Sequence, residues 1–199
     1  STRSILPLKK SNMLKIFFIL ILIFNVNVSF SDTKETYIAA NILHVDGDPF
    51  THQIILDRGA KDGVYLGQPI IDEHGVMGAV VAFNQFTARV MLISDASHGI
   101  PVENLRNGVR AIASGTGTLG HLELDHIPNT IDIKKGDVFV TSGLGGRFPS
   151  GYPVGTVAYV GKDLGRAFAA IQLETKAHLD RGRQVLLVWS KEMINDSKS

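Results

Sequence analysis

The sequence contains no cysteine among its 199 residues. This absence excludes disulfide bonds, thiolate nucleophiles and zinc sites built from cysteine, and it is compatible with an oxidising compartment. Aromatic residues are few, at 8% of the chain, and neither sign of charge dominates, with 19 acidic and 20 basic residues. Proteins that bind nucleic acid or anionic lipid carry a basic patch, so we expect neither partner.

The chain also lacks a long apolar run, because its hydrophobic N-terminal segment is short. Residues 16–24 are apolar without a break and follow several basic residues. A membrane-spanning helix needs about 20 apolar residues, whereas the core of a signal peptide needs about 7 to 15. We predict a cytoplasmic or unstructured leader at residues 1–12, and a membrane anchor, or a signal peptide cleaved after Ser31, at residues 13–31. The basic residues before the run predict that the remainder lies outside the cytoplasm, on the periplasmic side of the inner membrane.

From residue 37 onward, short runs rich in Val, Ile and Leu alternate with Gly, Asp, Asn and Pro, and helix signals are nearly absent. This pattern is typical of an all-β sandwich or barrel. A chain with 44% hydrophobic residues can bury one large core or two small ones. The predicted strands are residues 38–45, 52–59, 68–72, 76–84, 87–95, 100–105, 109–115, 121–127, 137–142, 153–161, 167–175 and 183–190.

The predicted strands fall into two sets that share similar strings. GQPII followed by VMGAVV in the first set resembles GDVFV followed by PVGTVA in the second. A repeat of roughly 70 to 80 residues suits two similar barrels side by side. We therefore predict an all-β chain with two similar six-stranded antiparallel β-barrel domains, at residues 37–107 and 108–190, and a disordered tail at residues 191–199. Gly78 and Gly155 lie inside predicted strands, which indicates a bulge or a tight bend.

A pair of six-stranded barrels is also the plan of chymotrypsin-like proteases, which makes a serine nucleophile a legitimate hypothesis. Ser142 is the strongest candidate, because the glycines after it could present backbone amides to an oxyanion. It lacks both the Gly-Asp-Ser-Gly context and the Gly-x-Ser-x-Gly elbow, and a glycine-rich hairpin explains the segment better. His98 and His178 precede strands at matching places, where a loop hydrogen bond is the simpler role. We predict no catalytic and no cofactor-binding residue.

Two polar clusters have residue types that bind metals. His44, Asp46 and Asp48 alternate along an extended segment, but Asp-Gly and Asp-Pro pairs favour a turn there. Residues 72–75, Asp-Glu-His-Gly, are interpreted as a polar hairpin tip, because no second cluster of matched spacing occurs elsewhere. The sequence therefore predicts no metal site.

Several strings resemble the rod shape-determining MreC family. They are DPF at 48–50, LDRG at 56–59 with KDGV at 61–64 and Gly67, GVMG at 75–78, RVMLISD at 89–95 and GDVFVTSGLGGRFPSGYPVG at 136–155. The resemblance spans about residues 39 to 189. It implies two β-barrels without a catalytic triad, in a non-enzymatic periplasmic scaffold of the cell-wall elongation complex.

The resemblance also implies partners. These are the elongation transpeptidase, MreD and, through the membrane, the MreB cytoskeleton, together with self-association and without a small-molecule substrate. Family members normally carry a long coiled-coil helix before the barrels, but only residues 32–36 separate Ser31 from Tyr37 here. A shortened family member is therefore expected. The alternatives are an exported ligand-binding or adhesive β-protein and a serine hydrolase.

Aromatic side chains on loops are the candidate partner-binding residues, because buried aromatic anchors dominate the energy of interfaces. The candidates are Phe83, Phe86, Phe148 and Tyr152. For each ring, the alternative is a purely structural role as a plug at the end of a barrel. An unpaired outer strand offers a second route, through backbone pairing with a partner.

Overall fold

The computed structural model describes residues 36–46, 51–163, 165–179 and 183–189. Within these ranges the regular elements are strands and one 3₁₀ turn, Ala60–Asp62. Each predicted strand corresponds to an observed strand, with ends that differ by at most three residues. The strands are β1 Thr36–Val45, β2 Gln53–Leu56, β3 Pro69–Ile71, β4 Val76–Phe83, β5 Ala88–Leu92, β6 Gly99–Asn104, β7 Arg110–Gly115, β8 His121–Leu124, β9 Val138–Thr141, β10 Pro153–Gly161, β11 Ala170–Thr175 and β12 Gln184–Trp189.

Two predicted segments lie outside the described residues. They are the N-terminal leader with the anchor or signal peptide, residues 1–31, and the tail, residues 191–199. Among the residues that the structure describes, none belongs to a helix with the length and apolarity needed to cross a membrane.

The strands close into two six-stranded barrels, which confirms the predicted fold class. Around the first barrel the order is β1-β12-β3-β4-β5-β2, and around the second it is β7-β6-β9-β10-β11-β8. Every pairing is antiparallel. The two orders are the same once β12 is matched with β6, so the repeat seen in the sequence is a repeat of barrel topology.

The strand pairing differs from the predicted division at residues 107 and 108. Strand β6 pairs with β7 and β9 in the second barrel, and β12 pairs with β1 and β3 in the first. The assignment of these two strands by chain order was wrong, because barrel closure depends on pairing between segments that are distant in sequence. The chain therefore crosses between the barrels after β5 and returns to the first barrel after β11.

Alternate side chains of the strands fill each barrel, as the period of two requires. In β8 the burial alternates from exposed His121 and Glu123 to buried Leu122 and Leu124, as their pattern predicts. Large side chains with less than 2% exposure include Ile54, Leu56, Ile70, Leu92 and Leu187 in strands of the first barrel, and Ile100, Leu122, Phe139, Ile171 and Leu173 in strands of the second.

Gly78 and Gly155 mark close approaches between strands. A Cβ at Gly78 would lie 2.1 Å from the Met91 carbonyl oxygen, and one at Gly155 would lie 2.9 Å from the Glu174 carbonyl oxygen. The strand register shifts beside both glycines. These register shifts confirm the predicted irregularity at both positions. Glycine is required there because a side chain would push the paired strands apart.

Candidate partner-binding surface

The β4–β5 turn presents two exposed aromatic rings, and we call residues 83–86 the aromatic turn. Phe83 is 40% exposed and Phe86 is 56% exposed. The Asn84 side chain holds the turn, since its Oδ1 accepts the backbone N–H groups of Phe86 and Thr87, each at 2.8 Å. Its Nδ2 donates to Thr87 Oγ1, also at 2.8 Å. The backbone that carries the rings is thus fixed by an Asx-type turn.

The 3₁₀ segment packs under the aromatic turn and supports it. The backbone N–H of Ala60 donates to the Asn84 carbonyl oxygen at 2.9 Å. A Cβ at Gly59 would lie 2.5 Å from the same oxygen, so only glycine allows this approach. The Lys61 ammonium lies 4.9 Å from the centre of the Phe86 ring, within range of a cation–π interaction. An anchor held in this way loses little conformational entropy when it binds.

A groove lies beside strand β4, and part of its wall is apolar. The cavity measures about 330 Å³ and is lined by Leu66, Val81 and Met91 of the first barrel and by Arg147 of the second. Leu66 is 62% exposed and Val81 is 40% exposed. Val81 lies two residues before Phe83 on β4, so exposed apolar side chains continue along the strand towards the aromatic turn.

The other two predicted binding residues lie in the segment between β9 and β10. Phe148 is 3% exposed, and its ring meets the ring of His98 edge-on with 6.1 Å between centroids. Tyr152 is half-buried, and its hydroxyl shares a hydrogen bond of 2.5 Å with the Tyr37 hydroxyl on β1. Phe148 therefore has the position expected of a structural plug. Tyr152 links the strand β1 of the first barrel to the start of the second barrel's β10.

His98 is buried at the start of β6, where the chain enters the second barrel. It is 6% exposed, and in the part of the chain that the structure describes neither ring nitrogen finds a hydrogen-bond partner. Burial, assisted by the positive charge of Arg147 and opposed by Asp95, lowers the pKa of His98 from 6.5 to about 4. The ring is therefore neutral at neutral pH.

This burial predicts a loss of stability in mild acid. The unfolded state protonates His98 near pH 6.5 but the folded state only near pH 4, so stability is lost as pH falls through that interval. Between pH 7 and pH 5 this group alone removes about 2 kcal/mol from the free energy of unfolding. The substitution His98→Phe is expected to remove that part of the slope in urea unfolding followed by circular dichroism. An unchanged slope in the variant would assign the acid sensitivity to other groups.

Ser142 is part of the turn between β9 and β10. Its backbone N–H donates to the Pro101 carbonyl oxygen at 3.1 Å, and its Oγ accepts the Leu144 N–H at 3.3 Å. Gly143 and Gly145 have φ angles of 76° and 79°, which glycine adopts at little cost. The hydroxyl thus caps its own turn, as the interpretation of a glycine-rich hairpin predicts.

The fold also brings together residues that no local pattern connects. Of the first polar cluster, His44 is exposed on β1 and Asp48 lies outside the described residues. In contrast, Asp72 Oδ2 accepts the backbone N–H of His178 at 2.7 Å across 106 residues of sequence. The rings of His74 and His178 lie 4.2 Å apart between centroids. Nothing in the sequence spacing of the 72–75 segment and His178 predicts this contact.

Two closed six-stranded antiparallel barrels define a two-barrel β-protein, and the aromatic turn is an exposed part of the first barrel. Residues 42–189 match the family described as rod shape-determining protein MreC, barrel core. The chain therefore belongs to the MreC family, whose members are structural, shape-determining proteins. This membership confirms the predicted family and the prediction that the chain is not an enzyme.

Curated relatives give the same assignment. The chain is 47% identical over 161 residues to the cell shape-determining protein MreC of Haemophilus influenzae, covering 81% of this chain and 46% of that relative. It is 46% identical over 158 residues to the Escherichia coli protein of the same name, covering 79% of this chain and 43% of that relative. The chain thus spans less than half the length of these two relatives.

Solved structures match the two-barrel fold. The crystal structure of MreC from Pseudomonas aeruginosa is similar with a TM-score of 0.75 and 49% identity, covering 77% of this chain and 99% of that one. A chain in the complex between penicillin-binding protein PBP2 and MreC from Helicobacter pylori is similar with a TM-score of 0.62. At 20% identity, the second likeness shows the shared fold alone.

Proposed function

We propose that the chain is a scaffold of the cell-wall elongation complex and that it binds the elongation transpeptidase through the aromatic turn. The supported, exposed rings of Phe83 and Phe86 carry this proposal. Family membership supports the role in cell shape, because the curated relatives are cell shape-determining proteins. The Helicobacter pylori complex of PBP2 with MreC supports a transpeptidase as the partner.

The same proposal includes the cellular location of the chain and its further partners. The barrels act on the periplasmic side of the inner membrane, with residues 13–31 as an anchor or a signal peptide. MreD and, through the membrane, the MreB cytoskeleton are the further partners, and the chain associates with itself. The apolar run at residues 16–24 and the basic residues before it support this setting. The balanced charge fits protein partners better than nucleic acid.

The aromatic turn has the features of an interface hot spot. Each ring offers a large apolar area that is still in contact with water, so burial against a partner releases that water. The backbone beneath the rings is already ordered by Asn84 and by the 3₁₀ segment. Truncation of such an anchor typically costs about 2 kcal/mol, which is roughly thirtyfold in Kd.

Binding of the full chain to the periplasmic domain of the host's elongation transpeptidase tests the proposal. The substitutions Phe83→Ala and Phe86→Ala are each expected to raise the Kd by at least about tenfold, measured by biolayer interferometry. Phe168→Ala is the matched control, because Phe168 is 48% exposed but lies outside the first barrel, just before β11. It is expected to leave the Kd unchanged.

Two results would contradict the proposed surface. One is wild-type affinity in both variants of the aromatic turn, and the other is a larger loss in Phe168→Ala than in Phe86→Ala. Phe148→Ala removes the packing of this ring against His98, and Tyr152→Phe removes the hydrogen bond to Tyr37 on β1. They should therefore lower the unfolding midpoint together with the affinity, whereas Phe86→Ala should leave the midpoint unchanged. Sedimentation of the same samples tests self-association.

A further inference from the structure

Three side chains that can bind a metal come together beside the segment that returns to the first barrel. Asp72 follows β3, His74 lies in the β3–β4 hairpin, and His178 lies between β11 and β12. One ligand atom from each lies within 4.8 Å of the other two. Asp72 and His178 also line a cavity of about 450 Å³, together with Glu73 and Arg183.

The Asp72 carboxylate is already oriented by backbone hydrogen bonds. Its Oδ1 accepts the N–H groups of His74 and Gly75 at 2.7 and 2.8 Å, and its Oδ2 accepts the N–H of His178 at 2.7 Å. The Asp72 side chain is 8% exposed, whereas the His74 side chain is 42% exposed. The carboxylate is thus fixed while the imidazole has room to rotate. A carboxylate oxygen with one such bond keeps a lone pair for a metal, and outer hydrogen bonds of this kind orient metal ligands.

Two imidazoles and one carboxylate form a ligand set suited to zinc. Zinc bonds to nitrogen and oxygen of about 2.0 to 2.2 Å place the ligand atoms of a tetrahedral site about 3.4 Å apart. The ligand atoms lie within 4.8 Å of one another, and rotation of the two exposed histidines is the movement that would shorten these distances. Glu73 can complete the site, since its Oε1 lies 3.7 Å from His74 Nδ1 and its side chain is 85% exposed.

We propose that Asp72, His74 and His178 bind a zinc ion that fastens the β3–β4 hairpin to the segment leading into β12. The hairpin already packs against the second barrel, since a Cβ at Gly75 would lie 2.3 Å from the Pro153 carbonyl oxygen. The ion adds a link at the point where the chain leaves the second barrel to close the first. It therefore stabilises the arrangement of the two barrels, and this role does not depend on the aromatic turn.

Titration of the full, metal-free chain with ZnCl₂ in a calorimeter tests the site. One ion per chain is expected for the wild type, and His74→Ala and His178→Ala are each expected to raise the Kd for zinc by at least about tenfold. His121→Ala is the matched control, because His121 is exposed on β8 and is not one of the three clustered side chains. Addition of Co²⁺ is expected to give the strong visible absorption of a four-coordinate site, which a surface-bound ion lacks.

Circular dichroism without metal separates loss of a ligand from loss of the fold. His178→Ala is expected to retain the wild-type spectrum and unfolding midpoint in the absence of zinc, and to lose the rise in midpoint that zinc produces in the wild type. Absence of zinc binding by the wild type would overturn the proposal. So would zinc binding that is equal in wild type, His74→Ala and His178→Ala.

Discussion

Substitution of Gly115 by alanine is expected to destabilise the protein by more than about 4 kcal/mol, a loss that few single substitutions reach. A Cβ at Gly115 would lie 1.9 Å from the Asp95 carbonyl oxygen and 2.6 Å from its carbonyl carbon. These are backbone atoms, so no side-chain rotation relieves the overlap. Urea unfolding of the full chain, followed by circular dichroism, measures the effect, and failure of the variant to accumulate as folded protein is the extreme form of the same result.

Gly99→Ala is the matched control for this substitution. Gly99 pairs with Ser114, the neighbour of Gly115 on β7. A Cβ at Gly99 would meet Ile112 Cγ2 at 3.5 Å, an ordinary van der Waals contact. We expect a change in the free energy of unfolding of less than about 1 kcal/mol. Similar losses in both variants would show that the close approach to Asp95 is not the cause.

The position of Gly115 matters because it faces the segment that crosses between the barrels. The Gly115 N–H donates to the His98 carbonyl oxygen, and the Gly117 N–H donates to the Ser94 carbonyl oxygen, both at 3.0 Å. The carboxylate of Asp95 accepts the His52 N–H at 3.0 Å. The crossing segment is therefore bonded to the second barrel on one side and to the segment before β2 on the other.

The strands could be predicted from the sequence because their signals are local. Alternation as in His121 to Leu124 and the turn residues between runs depend only on neighbours along the chain. The repeat could be found for the same reason, since its two copies fold by similar local rules. The exchange of β6 and β12 between the barrels could not, because both strands suit either barrel locally and only closure of each sheet decides.

For the candidate surface, the sequence predicts which aromatic residues lie near turns but not which of them are exposed. Phe83 and Phe86 lie next to turn residues, and the structure exposes both rings. Phe148 also follows turn residues, but a buried histidine from a distant segment covers it. The contact between Asp72 and His178 is likewise made by segments that are distant in sequence, the β3–β4 hairpin and the connection from β11 to β12. Sequence patterns thus identify which residues lie in turns, while contacts between distant segments decide which turns remain exposed.

Asp137→Ala is expected to lower the free energy of unfolding by about 3 kcal/mol. The Asp137 side chain is 8% exposed. Its carboxylate accepts hydrogen bonds from Arg106 Nε and Nη2 and from Asn104 Nδ2, each at 2.8 Å, and from the Lys134 N–H at 3.0 Å. Removal of the carboxylate leaves the buried Asn104 amide and the Lys134 N–H without this acceptor. Guanidinium chloride unfolding at pH 7 measures the loss.

Asp132→Ala is the control, because Asp132 binds the same arginine from an exposed position. Its Oδ2 accepts Arg106 Nη1 at 2.7 Å, but its side chain is 57% exposed. Ion pairs in contact with water contribute little to stability, so the unfolding midpoint should barely move. Equal losses in the two variants would contradict the view that the burial of Asp137 makes its hydrogen bonds important.

The pH dependence of the free energy of unfolding distinguishes the contribution of the Asp137 carboxylate from that of His98. Hydrogen bonds from Arg106, and then from Asn104 and Lys134, hold the pKa of Asp137 well below its usual value of 3.8. Its stabilising contribution is therefore complete above that value and is lost as pH falls towards the lower pKa of the folded state. The difference in stability between wild type and Asp137→Ala should stay constant from pH 7 to pH 5, where protonation of His98 acts equally on both proteins. It should narrow below about pH 4, and a difference that narrows already between pH 7 and pH 5 would contradict this assignment.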